Sequence, residues 1–268
     1  MRSVPRWRLH GAAGIASRAV QSPLTVNLGA HGTMAHIILE AIAYLAGFVL
    51  MLRERRRTGD FLGEEARWVL IAAAIIGALA GSKIVHWTNE LPLGAEVLGQ
   101  WRFWLEGKSI VGGLIGGTLA VELAKRRLGI TRRTGDVYVL PLCASIAIGR
   151  VGCFLAGLQD QTHGVPTNLP WAVDFGDGIA RHPTQLYEAL AVLGLAGWLV
   201  RSRPRLAEGV LFQRFLLSYL ALRVGLDFLK PYSHGLGMSG TQWWALAGIV
   251  AECCWVSVRS RAFAGVSR

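Results

Sequence analysis

Ionisable side chains stand inside stretches of this chain that are otherwise apolar, and their spacing puts several of them on shared faces. His36 and Glu40 are four residues apart, as are Arg223 and Asp227, so each pair occupies one face of a helix. Lys83, His86, Arg150, Glu188 and Glu252 lie in other apolar runs, and Glu122 lies near the edge of one. Charge in such a place is expensive and marks a functional site by default, although each group taken alone could equally form an interhelical ion pair. Arg150 and Arg223 point further when taken together. Both fall in the same half of their runs, so two guanidinium forks can reach one cavity, and that donor set suits phosphate. A cavity of this kind inside a bilayer implies a phospholipid headgroup and a protein that opens sideways to lipid.

The elements that carry these residues are membrane helices. The chain has 268 residues, 52% of them hydrophobic and 17% charged, against about 25% charged in a soluble globular domain. Apolar runs long enough for a bilayer core of about 30 Å are residues 36–52, 68–87, 109–124, 137–157, 184–200, 209–229 and 241–258. The third is short and rich in glycine: Val111 to Gly117 reads VGGLIGG. With Gly77 and Gly81 in the preceding run it offers the small-residue spacing that lets helices approach closely, or room for an acyl chain. The expected architecture is an all-α polytopic membrane protein of seven transmembrane helices, with a small loop domain on one side.

Basic residues set the orientation. RERRR follows the first run, KRRLGITRR the third, RSRPR the fifth and RSR the seventh, while the other junctions hold few Lys or Arg. Such blocks stay on the cytoplasmic side, which puts the amino terminus outside and the carboxyl terminus in the cytoplasm. Trp87, Trp101, Trp104, Trp171, Trp243 and Trp244 fall at the opposite, outer ends, where indoles prefer the interface. The outer loop domain would comprise residues 158–183 with part of 88–108. Residues 1–34 read as an amino-terminal extension, 35–258 as the membrane domain and 259–268 as a cytoplasmic tail. A net charge of +11 could suggest nucleic acid, but the basic clusters abut apolar runs, so no nucleic acid is expected as a partner. Cys143, Cys153, Cys253 and Cys254 show no metal-ligand spacing; they read as buried thiols, and neither a metal nor a cofactor is expected.

The stretches GRVGCFLAG (149–157) and RHPTQLYEAL (181–190) resemble the prolipoprotein diacylglyceryl transferase family, whose pattern runs Gly-Arg-x-Gly-Asn-Phe-x-Asn-Gly, a Gly, Pro-Trp-Ala-Val, then Arg-His-Pro-Ser/Thr-Gln-Leu-Tyr-Glu. Gly164 and Pro170 to Val173 match the middle of that pattern, and Gly112 to Gly117, Tyr44 to Phe48, Arg223 with Asp227, and Met238, Ser239 and Gln242 match elsewhere. The resemblance covers about residues 35–258. It implies a multi-pass protein of the bacterial inner membrane that moves the diacylglyceryl group of phosphatidylglycerol to the lipobox cysteine in a preprolipoprotein signal peptide, releasing glycerol phosphate. Arg150 and Arg223 would hold the phosphate. Gly112, Gly113, Gly164, Arg181, His182, Gln185, Tyr187, Glu188 and Asp227 would complete the substrate site.

The departures from the pattern concern the acid–base groups. Val111 stands where the family has His, Cys153 and Ala156 where it has Asn, Leu158 where it has an acidic residue, and Glu40 where it has Tyr. His36, Glu40, His86, Asp160 and His163 are the candidate replacements. His36 as base with Glu40 as its orienter is the first choice, and Cys153, with no base adjacent in sequence, reads as packing. Three alternatives stay open: a non-catalytic descendant that binds phospholipid or lipoprotein, a transferase with a different acceptor, and an ion or solute transporter, against which stands the lack of a discontinuous, repeat-related helix pair.

Overall fold

Helices in a bilayer satisfy their own backbone groups, so the apolar runs fold as helices and the sequence between them carries the turns. The computed structural model describes residues 24–59, 62–90, 99, 101–105, 107–231 and 235–266. Of the expected amino-terminal extension, residues 1–23 lie outside the described residues, as do 91–98 of the expected outer segment and the last two residues of the expected tail. The order is β1 (Leu24–Thr25), α1 (Ala30–Thr58), α2 (Glu64–Glu90), α3 (Trp101–Leu105), α4 (Ile110–Arg127), α5 (Val139–Ala156), β2 (Val173–Asp174), β3 (Ala180–Arg181), α6 (Thr184–Ser202), α7 (Val210–Asp227) and α8 (Gly240–Val266). Each of the seven apolar runs falls on one long helix, and the short α3 stands apart from them.

Among the described residues, three stretches are by themselves long and apolar enough to cross a membrane: Ala30–Thr58, Glu64–Asn89 and Gly135–Asp160. The apolar windows of the first two are only 11% and 17% buried against 44% for the third. α1 and α2 therefore present Ile37, Leu45, Phe48, Ile76 and Leu79 outward, as helices do when their solvent is lipid, and α5 is central. α4 and α7 carry more charge along their length, with Glu122, Lys125, Arg126 and Arg127 on one and Arg214, Arg223 and Asp227 on the other.

Two features differ from the sequence reading. Leu24 and Thr25 do not trail from the body: β1 pairs in parallel with β2, which pairs antiparallel with β3. This small sheet packs through Val173 and Phe175 on Phe154 at the end of α5. In addition, α8 runs on through the expected boundary at 258 to Val266.

Glycine contacts set the closest helix approach. α2 and α4 meet so tightly that a Cβ on Gly81 would overlap the carbonyl oxygen of Gly112, and one on Gly116 would overlap that of Gly77. On the other flank, α1 packs on α5, where Ser145 donates to the carbonyl of Ala43 at 2.8 Å. The basic segments gather at one end. Arg203 after α6 binds Glu54 of α1 at 2.6 Å, and Arg132 binds Glu208 at 3.1 Å. Asp136 accepts from the backbone N–H groups of Gly209 and Phe212, which fixes the start of α7 at that end. An aromatic cluster lies at the other end: Trp87 packs with Phe103 and Trp104, and Trp244 donates to Thr88.

A cavity of about 510 Å³ lies between the two flanks, towards the basic end. Ala74 and Ala78 of α2, Gly113, Leu114 and Gly117 of α4, and Leu142 of α5 give it an apolar wall, with Arg55, Arg132 and Arg133 at its rim.

Replacing Gly81 with Leu forces the α2–α4 backbones apart. The overpacking should cost about 1–3 kcal/mol or more and lower the unfolding midpoint of the detergent-solubilised protein. Gly113→Ala should leave the midpoint unchanged, because its Cβ would meet only the Ala78 carbonyl at an ordinary 3.7 Å. Equal effects of the two variants would contradict this packing.

Candidate functional site

At the end away from the basic loops, one carboxylate organises three helices. Glu188, in the second turn of α6, is 1% exposed. Its Oε2 lies 2.9 Å from Arg150 Nε of α5 and 2.6 Å from a terminal nitrogen of Arg223 of α7, and its Oε1 accepts from the Tyr219 hydroxyl at 2.7 Å. The other terminal nitrogen of Arg223 binds Asp227 Oδ1 at 2.6 Å, and Lys230 lies 3.4 Å from that same oxygen. Ser239 donates to Asp227 Oδ2 at 3.1 Å. The amide of Gln242 receives the Ser239 N–H and donates to the Val224 carbonyl, which docks the start of α8 on α7.

With all five groups ionised, three cations face two carboxylates, so these five groups carry one positive charge in excess, with Asp160 the next carboxylate towards Arg150. Arg150 Nε, although close to Glu188, makes no aligned hydrogen bond, and Arg223 Nε also lacks an acceptor. Unspent buried donors and surplus positive charge favour an anion. One turn before Glu188, Gln185 is 1% exposed and neither of its amide atoms has a partner. An unmatched amide at such burial is costly, and a polar ligand would satisfy it.

A second group stands beside the first. His36 of α1, Cys153 of α5 and Asp160 of the turn that follows each bring one donor atom within 4.8 Å of the other two. A terminal nitrogen of Arg150 lies 3.9 Å from Cys153 Sγ, which joins the two groups. Thr33 donates to the Gln159 side chain and holds that turn against α1, and within the loop Thr162 donates to Asp160 Oδ2 at 2.5 Å.

The structure redistributes the residues singled out from sequence. Arg150, Arg223, Glu188 and Asp227 do converge. His36 and Glu40 do not form a hydrogen-bonded base and orienter: their nearest atoms are 4.0 Å apart, and Glu40 is held by Lys108 at 2.6 Å and Tyr44 at 2.8 Å. Cys153 is not the isolated packing thiol that its sequence neighbours suggest. Arg181 is turned away from the network and bound twice by Asp177, at 2.6 and 2.7 Å; that hydrogen bonding holds the Asp177 carboxyl below the usual carboxylate range. His182 Nδ1 lies 3.2 Å from the Tyr187 hydroxyl, whose oxygen receives the Trp171 indole N–H. Gly164 is a packing position, where a Cβ would collide with the His182 and Leu229 carbonyls. Gly112 serves the α2–α4 contact and Gly113 lines the cavity. Val111, 1% exposed, belongs to the apolar core.

Of the other candidate replacements, His86 lies against Gly107. Burial first, and the charge of Arg181 second, lower the basicity of the His163 imidazole. Tyr219 and Lys230 are members of the network that sequence reasoning missed. The signal was available, since Tyr219 is four residues before Arg223 and Lys230 three after Asp227, the spacing of one helix face.

Comparison with known proteins identifies the family. The family model for prolipoprotein diacylglyceryl transferase matches residues 23–258. The phosphatidylglycerol–prolipoprotein diacylglyceryl transferase of Bordetella bronchiseptica is 33% identical over 235 residues, covering 78% of this chain and 86% of its own. The proteins of the same name from Methylobacillus flagellatus and Polynucleobacter necessarius are 30% and 29% identical, covering 85% and 82% of this chain and 93% and 89% of theirs.

Removing the central carboxylate leaves two buried arginines facing each other. Glu188→Gln should destabilise the protein by about 3–5 kcal/mol, read as a lowered unfolding midpoint in detergent. An unchanged midpoint would mean that the network does not hold α5, α6 and α7 together.

Proposed function

The chain belongs to the prolipoprotein diacylglyceryl transferase family, and from that premise we propose that it transfers the diacylglyceryl group of phosphatidylglycerol to the lipobox cysteine of a preprolipoprotein. The observation that carries the reading is the convergence of Arg150 and Arg223 on Glu188 with one positive charge to spare. A phosphodiester headgroup supplies the missing negative charge, and Gln185 is placed one turn away to meet its glycerol hydroxyls.

The reaction is a displacement at a glyceryl carbon. The acceptor sulfur bonds to that carbon, the carbon–oxygen bond to the phosphate breaks, and glycerol phosphate leaves with the electron pair. The phosphate gains a unit of negative charge as it departs, so the arginines stabilise the transition state more than the ground state. Thiol activation belongs to the group of His36, Cys153 and Asp160, which lies beside Arg150 through Cys153. Glu40, with Lys108 and Tyr44, fixes the face of α1 on which His36 sits. An acyl chain running from the arginines towards the basic end would find the apolar wall of the cavity. In the orientation proposed here, the amino terminus is outside, the carboxyl terminus is cytoplasmic and the site opens to the outer leaflet of the bacterial inner membrane.

Val111 favours a second reading. Where the family pattern has a histidine, this chain has a core side chain that carries no proton, as a lipid-binding descendant without turnover would.

Purified protein with phosphatidylglycerol labelled in its diacylglyceryl part and a lipobox peptide separates the two. Transfer predicts label on the peptide thiol and release of glycerol phosphate, with Arg150→Ala and Arg223→Ala each lowering turnover by about 10²–10³-fold. Binding of the lipid without label on the peptide would overturn the transferase reading.

A further inference from the structure

We propose that His36, Cys153 and Asp160 bind one zinc ion, and that the ion's remaining position takes the acceptor thiol as a thiolate beside Arg150; the metal site stands on its own geometry, while its role rests on the transferase reading. An imidazole nitrogen, a thiolate sulfur and a carboxylate oxygen make a zinc donor set, and catalytic zinc commonly has three protein ligands with a fourth position open. The three donor atoms lie within 4.8 Å of one another. Around tetrahedral zinc they would be about 3.3–3.8 Å apart, a closure that side-chain rotation supplies.

Independent features fit the same assignment. His36 Nδ1 is buried and has no hydrogen-bond partner. The ring has room because residue 152 is glycine: a Cβ there would come within 3.3 Å of that nitrogen. All three side chains are half-buried, shielded yet reachable. A doubly charged ion with a thiolate and a carboxylate is neutral overall, and the Arg150 nitrogen 3.9 Å from Sγ can donate to the coordinated sulfur, the outer-shell contact that metal sites use to tune a ligand. The ligands come from three separate segments, α1, the last turn of α5 and the turn beyond it, which is why no ligand spacing is visible in the sequence.

The chemistry explains how the family's missing histidine can be dispensed with. A thiol that binds zinc loses its proton to water at neutral pH. Its sulfur then bonds to the glyceryl carbon, the carbon–oxygen bond breaks, and the electron pair stays on the phosphate oxygen beside Arg150 and Arg223. The product thioether is a weak zinc ligand and departs. A covalent route through Cys153 fails by comparison, because a diacylglyceryl thioether on Cys153 has no adequate leaving group for the second transfer. A direct histidine base would leave Cys153 and Asp160 without a role.

Metal analysis of the full chain, purified in detergent and dialysed against zinc, tests this. Wild type should hold one zinc per chain, and Cys153→Ser, His36→Ala and Asp160→Asn should each lose or weaken it, whereas Cys254→Ser should not. Cobalt in place of zinc should give a thiolate-to-metal charge-transfer band that Cys153→Ser abolishes. Zinc should raise the unfolding midpoint of wild type but not of Cys153→Ser, with the two metal-free midpoints alike, which separates ligand loss from misfolding. A wild-type chain that retains no stoichiometric zinc, or a cobalt spectrum without the thiolate band, would overturn the site. Diacylglyceryl transfer undiminished in metal-free protein would overturn its role while the transferase reading stands. Stoichiometric zinc with no transfer would leave the metal site and remove the transferase reading.

Discussion

Everything at the end of this bundle away from the basic loops depends on a carboxylate buried between two arginines. Glu188 reaches α5 through Arg150 and α7 through Arg223 and Tyr219, and α7 passes the connection to α8 through Asp227, Ser239 and Gln242. Taking such charges out of water costs several kcal/mol per ion, and pairing seldom returns a net gain over apolar packing. A fold that needed only cohesion could fill these positions with leucine. Keeping five ionisable groups here, with the cations in excess, makes sense when the surplus is matched by something that comes and goes.

The remainder of the fold positions that charge. Two tightly packed pairs, α2 with α4 and α1 with α5, flank the cavity, and the first is held by glycines whose backbones touch. Little hydrophobic force draws helices together in hydrocarbon, so close packing of small residues does that work. The arginines stand at the end of the aromatic cluster and the apolar cavity lies towards the basic end. A lipid entering between the flanks would meet charge at its head and apolar wall along its tails.

The helices and the convergence of the arginines were legible in the sequence because both obey local rules. Apolar length marks the helices, and helical spacing put Arg223 and Asp227 on one face. Glu188 as the hub was less legible: a carboxylate inside an apolar run signals a partner without naming it, and its partners come from two other helices. The His36–Cys153–Asp160 group was not legible as a unit, because its members are brought together only by the packing of α1 on α5 and by the turn at 157–160. The same cause misdirected Glu40 and Arg181, whose nearer partners Lys108 and Asp177 come from a loop and a turn that helical spacing does not describe.

The central claim is that the positive surplus around Glu188 holds an anionic phospholipid headgroup. It is tested most directly by releasing the protein from bilayers containing equal amounts of phosphatidylglycerol and phosphatidylethanolamine and weighing the lipid it retains by native mass spectrometry. The account predicts selective retention of phosphatidylglycerol by wild type and loss of that selectivity when Arg150 and Arg223 are both replaced by alanine. Equal retention of the two lipids by wild type, or selectivity that survives the double replacement, would contradict it.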